Sequence, residues 1–148
     1  ENLEFETTKD VRITGTQALL VAQFLVGQDY TGLENAMPMA LGDPSLSLAV
    51  PTEQFRRSYS VLAPSTYIVN YINVIAHDGD EVMLDGKPVT DFRVVPGTGM
   101  STARVEVMGG RHDLSSMGYF GIVSYGFGTY TSYMYPGGLD LKPINTVD

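Results

Sequence analysis

Each of the chain's two histidines, His77 and His112, is followed by an aspartate, and general acid–base catalysis is the first chemistry such a pair suggests. A nucleophilic triad needs an imidazole oriented by a carboxylate and facing a serine. Neighbouring strand residues point to opposite faces, so a His-Asp dipeptide cannot supply that orientation, and no GxSxG elbow occurs. Both read as ordinary turn or strand histidines, and no catalytic residue is assigned. The stretch HDGDE places Asp78, Asp80 and Glu81 in one turn, where oxygen ligands could gather around Ca2+. The loop lacks the full D-x-D-x-D-G pattern and its final Glu, so a solvated acidic hairpin is the better reading and no cofactor is expected. GFGT and GTG lack the Lys-Ser/Thr of a phosphate-binding loop and precede no helix. Among seventeen Asp and Glu a carboxylate pair for glycoside hydrolysis can occur, which keeps a carboxylate-based hydrolase as an enzymatic alternative.

The densest chemistry is aromatic. Residues 118–139, GYFGIVSYGFGTYTSYMYPGGL, hold seven of the fifteen aromatic side chains among six glycines. Val123, Tyr125 and Phe127 form a bulky face, while Ser124, Gly126 and Gly128 form a thin one that lets a backbone or ligand come close. After Gly128 the pattern restarts, with Tyr133 and Tyr135 on one face and Tyr130 and Met134 on the other. Tyrosine gives large, rigid, amphipathic contact area, so Tyr125, Tyr130, Tyr133 and Tyr135 are the candidate binding residues. Core burial is the competing reading for each and the favoured one for Tyr125. The absence of Trp counts against a sugar platform.

Elements that could position these residues follow a period of two. In STARVEVM, Ala103, Val105 and Val107 alternate with Arg104 and Glu106, and Gly109-Gly110 is expected to close a hairpin onto RHDLSS. In EVMLDGKPVTDF, Asp85-Gly86 supplies the positive φ of a two-residue turn. Further strands are expected near 11–15, 18–27, 45–50, 54–62, 67–76, 89–95, 119–127 and 129–135. About ten short strands read as an all-β, jelly-roll-like antiparallel sandwich. Helix is minor, the best candidate being GLENAMPMA, interrupted by Pro38.

At 148 residues, 43% hydrophobic and 18% charged, the chain has enough apolar surface for one core. A net charge of −8 repels nucleic acid and anionic membrane, and no apolar run is long enough to span a bilayer. Cysteine is absent, which removes disulfides and thiolate chemistry. ENLEFE matches four of six positions of the protease-tag sequence ENLYFQ. Residues 1–8 therefore read as a tag remnant or linker, 9–140 as one domain and 141–148 as a linker to a following module of a larger protein.

In order along the chain, GDPSLSLAVPTEQF, NYINVIA, VMLDGKPV, VPGTGMSTARVEVMGGRHDLSS and FGIVSYGFGTYTSYMYPGGL resemble the amino-terminal domain of the IgG Fc-binding protein family, which occurs in animal mucus-associated and bacterial surface or secreted proteins. The resemblance runs from about Thr16 to Leu139 and implies a β-rich extracellular or cell-surface module that binds a partner. The missing cysteines point to a bacterial relative. No residue-level site comes with the resemblance. The expectation is a non-enzymatic adhesion module contacting protein or glycan, with packing inside a surface fibre or assembly as the structural alternative.

Overall fold

The computed structural model describes residues 2–32 and 41–143. Ten strands occur among them: β1 (Ala22–Phe24), β2 (Leu46–Leu48), β3 (Arg56–Ala63), β4 (Val69–His77), β5 (Val82–Leu84), β6 (Lys87–Pro88), β7 (Arg93–Val95), β8 (Met100–Val107), β9 (Gly110–Gly128) and β10 (Thr131–Pro136). Among the described residues helix is limited to two single 3₁₀ turns, Gln28–Tyr30 and Thr52–Gln54. The fold is the expected all-β antiparallel sandwich. The expected short helix falls, apart from Gly32, outside the described residues.

Strand β9 organises the molecule. At 19 residues it is far longer than most strands, and it serves both layers. Its first half pairs with β3 on one side and β5 on the other. Its second half pairs with β10 and β4, and β4 pairs onward with β8. The β3–β9 register jumps between Arg56↔Phe120 and Ser58↔Ser115, which places an irregularity at Ser116–Tyr119, where the strand passes from one layer to the other. Two glycines there are fixed by neighbours lying where a side chain would stand. A Cβ on Gly118 would meet the Asp80 carboxylate at 2.1 Å, and one on Gly121 would meet the Phe55 ring at 2.3 Å.

Between the layers Tyr59, Val61, Val82, Leu114 and Phe120 pack against Ile72, Val74, Ala76, Ala103 and Ile122. Alternation along β4 is strict, with Asn70, Ile72, Val74 and Ala76 all buried on this side. The Phe120 ring meets Tyr59 edge-on at 5.0 Å, and the Tyr59 hydroxyl donates to the Phe120 carbonyl at 2.6 Å. On the far side of the second layer a smaller core gathers Leu41, Tyr125, Phe127 and Met134.

Three expectations change. Gly109-Gly110 does not close a hairpin: β8 and β9 flank β4 on opposite sides, and the chain changes layers at these glycines. Glycine is required because a Cβ on Gly109 would lie 2.5 Å from Ser65 Cα, and Gly110 has φ +142°. Residues 11–15 form no strand, and 18–27 shortens to Ala22–Phe24, because alternation without a neighbouring strand leaves backbone groups unpaired. The segment is tied to β8 by the Thr102 hydroxyl, which donates to Asp10 Oδ2 at 2.7 Å. Finally, 119–127 is the second half of β9 rather than a separate strand. The Asp85-Gly86 turn forms as expected between β5 and β6, with φ +51° and +76°.

Candidate functional site

Pairing between β9 and β10 sets Tyr133 opposite Gly126 and Tyr135 opposite Ser124, so two large rings stand beside two positions with almost no side chain. A Cβ on Gly126 would come within 2.6 Å of Tyr133 Cε1 and 2.7 Å of the Val69 carbonyl. The thin face of β9 is thus filled by tyrosine, and ring cover over a strand glycine is a recognised way of stabilising such a position. Tyr133 and Tyr135 stack with centroids 5.9 Å apart and planes 28° from parallel, and Tyr67 meets Tyr133 edge-on at 4.7 Å.

Both hydroxyls of the β10 pair are committed to the protein. Tyr133 donates to Asn70 Oδ1 at 2.8 Å, which satisfies an amide only 3% exposed. Tyr135 donates to the Leu62 carbonyl at 2.7 Å and accepts the Leu62 N–H at 3.1 Å. Burial raises the pKa of Tyr133, against a smaller lowering by its contact with Ser124. What these half-buried rings offer outward is apolar edge and face, with Ile68 and Leu62 exposed nearby in the chain.

Tyr130 is different. It sits in the turn between β9 and β10 with φ +53°, a left-handed conformation that costs a bulky residue about 1–2 kcal/mol, and 58% of it is exposed. Tyr67 packs at the same strand end, 3.5 Å from where a Cβ on Gly128 would stand. Tyr125 lies on the opposite face, 6% exposed and stacked on Tyr71 at 5.3 Å, its hydroxyl pushed up to about 12 by burial. The structure therefore brings Tyr133 and Tyr135 together, adds Tyr67, sets Tyr130 at the same end, and leaves Tyr125 in a core. Tyr67 follows the APS turn, and its role was visible in the sequence only as the demand of a thin glycine face for something to cover it.

The other chemistry-bearing residues are dispersed. Asp78 accepts the Ser101 hydroxyl at 2.5 Å, Asp80 lies over Gly118, and the Glu81 carbonyl accepts from Ser116 at 2.7 Å. Among the described residues no three His, Asp or Glu side chains converge to hold a metal ion. His112 is oriented by Asp85 across the sheet, not by the adjacent Asp113. Its Nδ1 lies 2.6 Å from Asp85 Oδ2 and its Nε2 lies 2.8 Å from the Met108 carbonyl, so neither ring nitrogen is left for a serine. Burial disfavours its charged form, but the hydrogen bonds to Asp85 and Met108 outweigh this and hold its pKa above the ordinary value. Asp85 is held below its ordinary value by His112 first and by the Asp113 N–H second.

Two concavities accompany the tyrosines. A cleft of about 310 Å³ under the β1–β2 ribbon is walled by Phe24, Tyr71, Asn73, Arg104 and Tyr125, with no carboxylate among its described lining residues. A groove of about 460 Å³ beside β3 is lined by Arg56, Ser58, Ser60, Asp113 and Ser115. Among the described residues neither is lined by the facing carboxylate pair of a glycoside hydrolase.

A family model described as IgGFc binding protein matches residues 1–126. The chain belongs to the IgG Fc-binding protein family. Membership makes it one of a family of binding modules. The matched stretch contains Tyr67, Tyr125 and nearly all of β9, while Tyr130, Tyr133 and Tyr135 lie beyond it. No curated protein and no solved structure matches the chain. Among the described residues no helix is long and apolar enough to cross a membrane.

Proposed function

We propose that this IgG Fc-binding family domain is a non-enzymatic adhesion module of a larger exported protein of bacterial type. It works outside the cell or on its surface by contact with protein or glycan. The contact surface is the tyrosine end of the β9–β10 hairpin: Tyr130 at the tip, with Tyr67, Tyr133 and Tyr135 behind it. The observation carrying this reading is Tyr130 itself, a large aromatic residue kept exposed in a backbone conformation that glycine would adopt without strain. Tyrosine in such a position supplies binding area at small conformational cost, because its rigid ring loses few rotamers.

The test is retention of the purified domain on immobilised immunoglobulin, on a glycan array and on animal cell surfaces, with Tyr67→Ser and Tyr130→Ser compared singly and together. Wild type is expected to be retained on at least one of these, with loss of about tenfold or more in the double variant, as befits removal of a central aromatic contact. Retention of the double variant at wild-type strength removes the tyrosine surface from the reading.

A further inference from the structure

Strand β3 is the longest edge strand among the described residues: β9 is its single partner, and eight residues lie along it. Edge strands expose a row of unpaired N–H and C=O groups that another chain can use, and proteins normally blunt them. Here part of the row is closed by tyrosine hydroxyls. Tyr135 takes both the N–H and the carbonyl of Leu62, and Tyr59 accepts the N–H of Arg56 at 2.9 Å. Since the Leu62 groups point away from β9, the alternation of an antiparallel strand directs those of Ser60 and Ser58 the same way. Among the described residues the backbone groups of Ser58 and Ser60 have no such cap, both residues are exposed, and the groove of about 460 Å³ lies against them.

Neighbouring charge selects what can lie there. Arg56 and Arg57 stand at the start of the strand and form no ion pair among the described residues; each lies over a tyrosine ring, at 5.8 Å and 4.7 Å. At the other end Leu62 presents an apolar side chain that is 62% exposed.

We propose that β3 is a strand-addition site: an extended peptide segment of a partner protein pairs antiparallel with Ser58–Ser60, placing an apolar residue by Leu62 and an acidic residue toward its own C-terminal end, opposite Arg56 and Arg57. The tyrosine hydroxyls set the register by leaving only these two residues open. The proposal rests on the protein-binding reading above and meets the tyrosine surface only where Tyr135 caps Leu62; Ser58 and Ser60 lie apart from Tyr67 and Tyr130, so exchange at the one pair and retention through the other can fail separately.

The probe is the acetylated peptide Val-Thr-Val-Thr-Val-Thr-Glu, whose first Val falls opposite Leu62 when its Glu lies opposite Arg56, added at millimolar concentration to the full chain, with amide exchange read residue by residue. Exchange at the Ser58 and Ser60 N–H is expected to slow by about tenfold, as for amides drawn into a ladder. The same peptide with every backbone amide N-methylated is expected to give no protection. Ser60→Pro deletes an N–H that has no partner among the described residues, and is expected to melt near wild type and to lose peptide protection. Should that variant fail to fold, the methylated peptide decides alone. Absence of protection at Ser58 and Ser60, or equal protection by the methylated peptide, overturns strand addition. Retention through the tyrosine end in either case leaves the protein-binding reading standing.

Discussion

Tyr130 and Gly126 show how single residues divide the aromatic stretch. Bulky and thin faces were legible on β9, and the bulky one does enter a core, through Tyr125 and Phe127. What covers the thin face was not legible, because Tyr67 comes from a loop some sixty positions earlier and meets Tyr133 only after β4, β9 and β10 are assembled. The strain at Tyr130 was equally invisible, since φ is a property of the turn and not of the residue type. It yields a prediction with two readouts. Tyr130→Gly is expected to raise stability by about 1 kcal/mol, because glycine adopts φ > 0 without steric cost, while weakening retention on the binding partner. Urea melts and retention assays check it, and a destabilised variant would contradict the strain argument.

Among elements, hairpin β5–β6 was read correctly from Asp85-Gly86, a local signal sufficient by itself. The supposed hairpin at Gly109-Gly110 was not, because the same glycine pair serves a change of layer whose partner strands are remote in sequence. Asp85 also anchors its hairpin to β9 through His112 and the Asp113 N–H, at 2.6 Å and 2.9 Å. His112 has a raised pKa, so its contribution is complete below its ordinary value of 6.5 and is lost as pH rises through the folded value above that. Asp85 has a lowered pKa, so its contribution is complete above 3.8 and is lost as pH falls through the folded value below that. The anchor is therefore strongest between these limits. The melting-temperature difference between wild type and His112→Ala is expected to be largest near pH ~5 and to shrink by pH ~8; a difference that grows toward alkaline pH would refute the anchor.

For the whole molecule, the one core expected is joined by a second, smaller one, whereas the all-β class follows from composition and a period of two. The two-layer path does not, because a 19-residue strand shared between sheets produces the same alternation as two shorter strands. Phe120 sits at the crossing, fully buried between layers. Phe120→Ala is expected to cost about 3–5 kcal/mol in chemical denaturation, a large share of a small domain's stability. A loss under 1 kcal/mol would mean that the layers close without it. The amide of Gln54 bears on a different property. It donates to the Lys142 carbonyl and accepts the Lys142 N–H at 3.1 Å, while the Gln54 carbonyl takes the Asp140 N–H at 3.0 Å and Lys142 rests over Tyr119. A pull on the chain beyond residue 142 thus loads this clasp before it reaches β10. A force applied at that end is therefore expected to open the clasp first and to leave β9–β10 in shape.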